Sequence, residues 1–158
     1  MKTSFRKGIG FGLTSGIITT LGLIVGLNYS TNSAKIVIGG ILIIAIADSL
    51  SDALGVHISE EAENKHSFKE IWEATISAFL SKFIMALSFL IPIIFLPLHS
   101  AIIACIAWGI IMTSILSYLI AKQNKTKPQK IIFEHLSIAT IVILLTYAVG
   151  KLIEKYIN

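Results

Sequence analysis

From Gly8 to Ala34 the chain passes without one charged side chain. That exceeds the ~20 residues a helix needs to cross hydrocarbon. Composition carries the same message along the whole chain. Hydrophobic residues make up 54% and charged residues 14%, against roughly 45–50% and about 25% in soluble domains. Mean hydropathy is +0.82. A soluble domain of 158 residues has too few charges to screen so much apolar side chain from water. Low hydrophobicity with high charge, the signature of disorder, is excluded as well. A lipid bilayer is the solvent that suits such a chain.

The apolar runs divide into five expected spans, about 8–27, 35–55, 74–96, 101–121 and 133–153, in an all-α polytopic membrane protein. The basic start before the first run resembles that of a secretory signal. The run is long and no small-x-small site follows it closely, so a retained span is expected. Asn28–Ser33 reads as a polar turn, Pro97–Ser100 as a hairpin, and Gln123–Lys130, with Pro128, as a basic loop. Lys82 lies near one end of the third run and reads as a snorkelling side chain. Pro92, in the same run, is a candidate bend. A barrel is not expected, because the runs lack strict alternation and ~10-residue segmentation.

The net charge is +4. The lysines form no stripe with interleaved aromatics, so nucleic acid is not an expected partner; they read as topology signals. Lys2, Arg6, Lys7, Lys65, Lys69, Lys82, Lys122, Lys125, Lys127 and Lys130 fall to one side of the five-span layout, and only Lys35, Lys151 and Lys155 to the other. The positive-inside rule then places the N-terminus in the cytoplasm and the C-terminus outside. The short termini suit a prokaryotic plasma membrane. The single Cys105 can form neither an internal disulfide nor a thiolate cage.

Seven of the nine acidic residues lie between Asp48 and Glu73. Asp48 and Asp52 are spaced i, i+4 and share a helix face. Each aspartate at the centre of a membrane helix costs about 2.5–3.5 kcal/mol on insertion scales, and like charges one turn apart repel. With few basic partners expected at that depth, a cation or proton pathway is the economical reading; hydrated aspartates at a span end are the bland one. Between Gly55 and Ile76 there is neither proline nor further glycine, so helix 2 is expected to run on into the cytoplasm as a short acidic extension, residues 56–73. His57 and Glu61 share one face of it. Glu63, His66, Glu70 and Glu73 share another, with Glu60 nearby. Carboxylates with imidazole suit Fe²⁺, Mn²⁺ or Zn²⁺. A solvated surface helix anchored by Phe68 and Trp72 is the alternative.

The first span carries Gly12-x-x-x-Gly16 and Gly22-x-x-x-Gly26, which permit close helix approach. It also carries Thr14, Ser15, Thr19 and Thr20. These hydroxyls either bond their own backbone carbonyls or, with Ser51 of the second span, line a polar path.

These residues bring out a resemblance. GLTSGIITTLGLIVGL (12–27) resembles the first-helix motif of the vacuolar iron transporter family, and ADSLSDALGVHISEEAE (47–63) its second-helix motif. SFLIPIIF (88–95) and EHLSIATIVILLTYAVGKLI (134–153) resemble its third and last helices. The resemblance implies a five-helix protomer, a homodimer with a cation path between the first helices, export of Fe²⁺ or Mn²⁺ from the cytoplasm in exchange for protons, and a glutamate-rich extension of helix 2. Several positions depart from the family pattern. Its first-helix aspartate falls on Ser15, its helix-2 methionine on Asp52 and its membrane glutamate on Ile44, while G-E-Y becomes Gly55-Val56-His57. Ser51, Gly55, Ser59 and Glu63 keep the pattern. The link to the third span is too short for a three-helix metal-binding domain.

The expected function is therefore divalent-cation transport, for Fe²⁺ or Mn²⁺, with two Asp48/Asp52 pairs of a dimer as the ion site. The glutamates from Glu60 to Glu73, with His57, would gather ions. Apart from that ion no cofactor is expected. A non-transporting membrane protein that binds metal, as sensor or assembly partner, is the alternative. An enzyme is not expected: G-x-S-x-G, H-E-x-x-H and Walker A are absent, and Gly8-Ile-Gly-Phe-Gly has the wrong spacing for a dinucleotide loop.

Overall fold

The computed structural model describes residues 3–157; Lys2 of the basic start lies outside the described residues. These form six helices: α1 (Thr3–Thr31), α2 (Ala34–Ala62), α3 (Phe68–Ser88), α4 (Leu90–Phe95), α5 (Leu98–Gln123) and α6 (Pro128–Tyr156). With α3 and α4 taken as one span, Phe68–Phe95, five helices are long and apolar enough to cross a membrane. Large apolar side chains cover the outside of the bundle, among them Ile43, Ile84, Phe133 and Leu145. A surface of that kind suits lipid rather than water.

Helix ends follow local chemistry. The turns after α1, α2 and α5 each contain one residue with a left-handed backbone, Asn32 (φ 47°), Asn64 (φ 51°) and Lys125 (φ 54°). Asparagine tolerates that conformation better than most L-residues. The expectation of an unbroken helix from Gly55 to Ile76 is corrected here. Asn64 ends α2, and Ser67 starts α3 through a capping box with Glu70, a signature written in the sequence as S-x-x-E. Likewise α1 runs to Thr31, through most of the expected Asn28–Ser33 turn.

Pro92 has no N–H to offer the Ser88 carbonyl one turn earlier, and the third span breaks there, between α3 and α4. Side chains of α5 fill in around the break. Trp108 Nε1 donates to Ser88 Oγ at 3.0 Å, and Cys105 Sγ lies 3.7 Å from the Phe89 carbonyl. Pro128 opens α6 at its first turn, where a missing N–H costs nothing.

α1 is the central helix and packs on α2, α3, α5 and α6, most extensively on α3. Its glycines make that possible. A Cβ on Gly8 or Gly12 would collide with the Ala74 or Ala78 carbonyl of α3. The main core joins Ile17, Leu21 and Ile24 of α1 to Val37, Ile41, Met85, Phe89, Ile102 and Cys105. Met85 is thus a packing residue.

Candidate functional site: a buried lysine between two aspartates

α2 is centred on Asp48, and the Phe68–Phe95 span is centred at Lys82. Ser15 lies close to the middle of α1. Three of the expected spans therefore bring polar side chains to a common depth, where they meet.

Lys82 Nζ lies 2.5 Å from Asp48 Oδ2 and 2.5 Å from Asp52 Oδ2. It also donates to Ser15 Oγ at 3.0 Å, and that hydroxyl donates onward to Asp52 Oδ2 at 2.6 Å. Ser15 and Asp52 thus accept hydrogen bonds from the ammonium, while Asp48 is held to it as an ion pair alone. Lys82 is 1% exposed, so it does not snorkel. The Asp48 and Asp52 side chains keep 30% and 21% of their surface open. The lysine is enclosed; the carboxylates look outward beside Ser51, which is exposed.

Two expectations change. The aspartates do have a basic partner at their depth, so neutralisation by a passing cation is not required to explain them. Two of the proposed path-lining hydroxyls are spent on backbone: Thr14 Oγ1 donates to the Gly10 carbonyl at 2.8 Å and Thr19 Oγ1 to that of Ser15 at 2.9 Å. In the sequence only the sign of its charge, within an apolar run, marks Lys82 as a partner for the two aspartates.

The remaining acidic residues form a second group at the far end of α2. Glu60 is 1% exposed. It is ion-paired to Lys7 of α1, and His66 Nε2 lies 3.4 Å from it. Glu63 lies 3.2 Å from Lys7 Nζ and 3.4 Å from His66 Nε2. Lys7, and after it His66, hold the Glu63 carboxyl below its ordinary value of 4.5. This clasp ties the start of α1 to the α2–α3 turn. Between it and the triad, one turn beyond Asp52, a cleft of about 200 Å³ is lined by Lys7, Phe11, Gly55, Val56, Ser59 and Glu60.

The expected metal-gathering face is dispersed. His57 Nδ1 is 3.0 Å from Thr75 Oγ1. The Thr75 hydroxyl donates to the Ile71 carbonyl, so Nδ1 is the donor towards it, and the ring also packs edge-on against Trp72. Glu61 is exposed. Glu70 Oε2 accepts from the Ser67 backbone N–H and hydroxyl, and Glu73 sits half-buried on α3. Because the helix breaks at 63–67, Glu63, His66, Glu70 and Glu73 share no single face. Among the described residues no group of three His, Cys, Asp or Glu side chains is arranged to hold a metal ion.

No model of a known protein family matches the chain, and no curated protein matches it.

Proposed function

We propose that the protein is an integral membrane cation transporter in which Asp48, Asp52 and Lys82 form the exchange site. The observation that carries this reading is the charge count of the triad around the buried Lys82. Two carboxylates and one ammonium leave one negative charge unbalanced, and a net charge is costly to keep in a low-dielectric interior. One bound proton cancels it. A divalent cation that displaces the lysine, with the ammonium giving up its proton, cancels it too. Exchanging one such ion for two protons therefore moves between two neutral states of the site. On this reading an ion enters from the Lys7–Glu60 end, where the cleft of Gly55 and Ser59 lies one turn from Asp52 and which the lysine distribution assigns to the cytoplasm.

The motif resemblance supports Fe²⁺ or Mn²⁺ as the ion, moved out of the cytoplasm, and a homodimer as the working form. With Asp52 in place of sulfur, the site is all oxygen and favours the harder Mn²⁺. The clasp at Glu60 and Glu63 stands at the mouth of the path.

The test is flux. In proteoliposomes holding a pH dye, a Mn²⁺ gradient should drive proton counterflow. Asp48→Asn/Asp52→Asn should abolish it, and undiminished flux in that variant would refute the reading.

A second reading is a non-transporting protein with a structural ion triad. The enclosure of Lys82 between Asp48, Asp52 and Ser15 favours it. An inert wild type in the flux assay, together with a stable Asp48→Asn/Asp52→Asn/Lys82→Met variant, would decide for it.

A further inference from the structure

A crevice of about 460 Å³ separates α1 from α5 at the basic end of the bundle. A second cavity of about 470 Å³ continues it outward, sharing Arg6, Gly10, Ile120 and Gln123. No aspartate or glutamate lines either one. Arg6 and Lys122 are exposed, and neither has an ion-pair partner among the described residues. Both cations are therefore available to an external anion.

The lining changes character in the same direction along both helices. On α1 it passes from Arg6 through Ile9 and Gly10 to Leu13. On α5 it passes from Lys122 through Leu119 to Leu116. Charge stands at the end of the helices and apolar wall runs inward from it. Gly10 has no atom within 4 Å of where a Cβ would stand, so the crevice stays open at its middle.

We propose that this crevice binds an anionic phospholipid, its phosphate between Arg6 and Lys122 and the start of an acyl chain along Leu13 and Leu116. A soluble anion would use only the mouth. The ordered passage from cation to apolar wall matches a headgroup joined to a hydrocarbon tail, and basic clefts between membrane helices are suited to such headgroups. The site is independent of the Asp48–Lys82–Asp52 triad and of whether the protein transports anything.

The test is lipid retention by the full chain in uncharged detergent, read by native mass spectrometry. Phosphatidylglycerol should be retained over phosphatidylcholine of the same chain length. Each cation beside a lipid anion is worth roughly fivefold in affinity, so Arg6→Gln/Lys122→Gln should weaken phosphatidylglycerol binding by at least about tenfold. Gly10→Leu fills the crevice but keeps both charges, and should weaken it too. Lys35→Gln/Lys155→Gln, at the other end, should leave it unchanged. Unaltered melting temperatures without lipid show that the variants fold. Equal retention of the two lipids, no effect of either crevice variant, or displacement of the lipid by millimolar inorganic phosphate would overturn the proposal; the last would mark a site for soluble anions.

Discussion

Lys82 Nζ and Asp48 Oδ2 lie 2.5 Å apart, Asp48 at the middle of α2 and Lys82 at the middle of the Phe68–Phe95 span. Asp52, one turn along α2, shares the same ammonium at 2.5 Å. The pairing explains how two aspartates sit at that depth, and it makes the lysine the element on which both depend.

Removing the lysine alone should therefore be worse than removing the whole group. Lys82→Met strands two partly buried carboxylates and is expected to destabilise by up to about 3 kcal/mol, less than the loss of a partner in a wholly buried pair. The triple variant Asp48→Asn/Asp52→Asn/Lys82→Met should recover most of that loss, because no charge is left uncompensated. Denaturant unfolding in detergent compares the two. Equal losses would mean that the triad is not energetically coupled.

Gly12 tests the close approach of α1 to α3. Gly12→Leu drives a side chain into the Ala78 carbonyl, a backbone atom with little room to yield. A loss at or above the upper end of the ~1–3 kcal/mol usual for overpacking is expected. Gly10→Ala, on the open side of the same helix, should be neutral or stabilising by up to ~1 kcal/mol. Melting temperatures of the pair report the difference.

The Glu63 clasp predicts a pH dependence. Its folded carboxyl is held below its ordinary value of 4.5 by Lys7 and His66. Its contribution is therefore present in full above about that value and is lost as the pH falls through the lower folded value. Between pH 6 and 3 the wild type should lose stability more steeply than Glu63→Gln. Parallel acid profiles would show that the clasp adds nothing.

Lys125 closes α5 in a conformation better suited to glycine. Its φ is 54°, and the flanking bonds, Thr126 N–H to the Ala121 carbonyl and Lys125 N–H to that of Lys122, form a Schellman ending. Lys125→Gly should stabilise the protein by about 1 kcal/mol, seen as a higher unfolding midpoint. A lower midpoint would show that the lysine side chain outweighs its backbone cost.

The all-helical build and the number of long apolar helices were readable from the chain alone. Apolar run length is a local property, and the described residues hold five helical stretches long and apolar enough to cross a membrane, the third of them broken between α3 and α4. The α2–α3 break is also local, written in Asn64 and the Ser67–Glu70 box, although neither proline nor glycine marks it. Glu60 and Lys7 lie far apart in sequence, and nothing in their spacing pairs them.

What the sequence determined by itself was an all-helical chain suited to lipid, with its acids gathered around one helix and two aspartates on a shared face. Only the tertiary structure decided that Lys82 joins them, that Ser15 completes the group and that Gly8 and Gly12 bring α1 against α3. The physical reason is distance along the chain. Helix formation is written in neighbours a few residues apart, whereas a buried charge takes its partner from whichever helix packs beside it, and that choice depends on glycine contacts formed only when the bundle assembles.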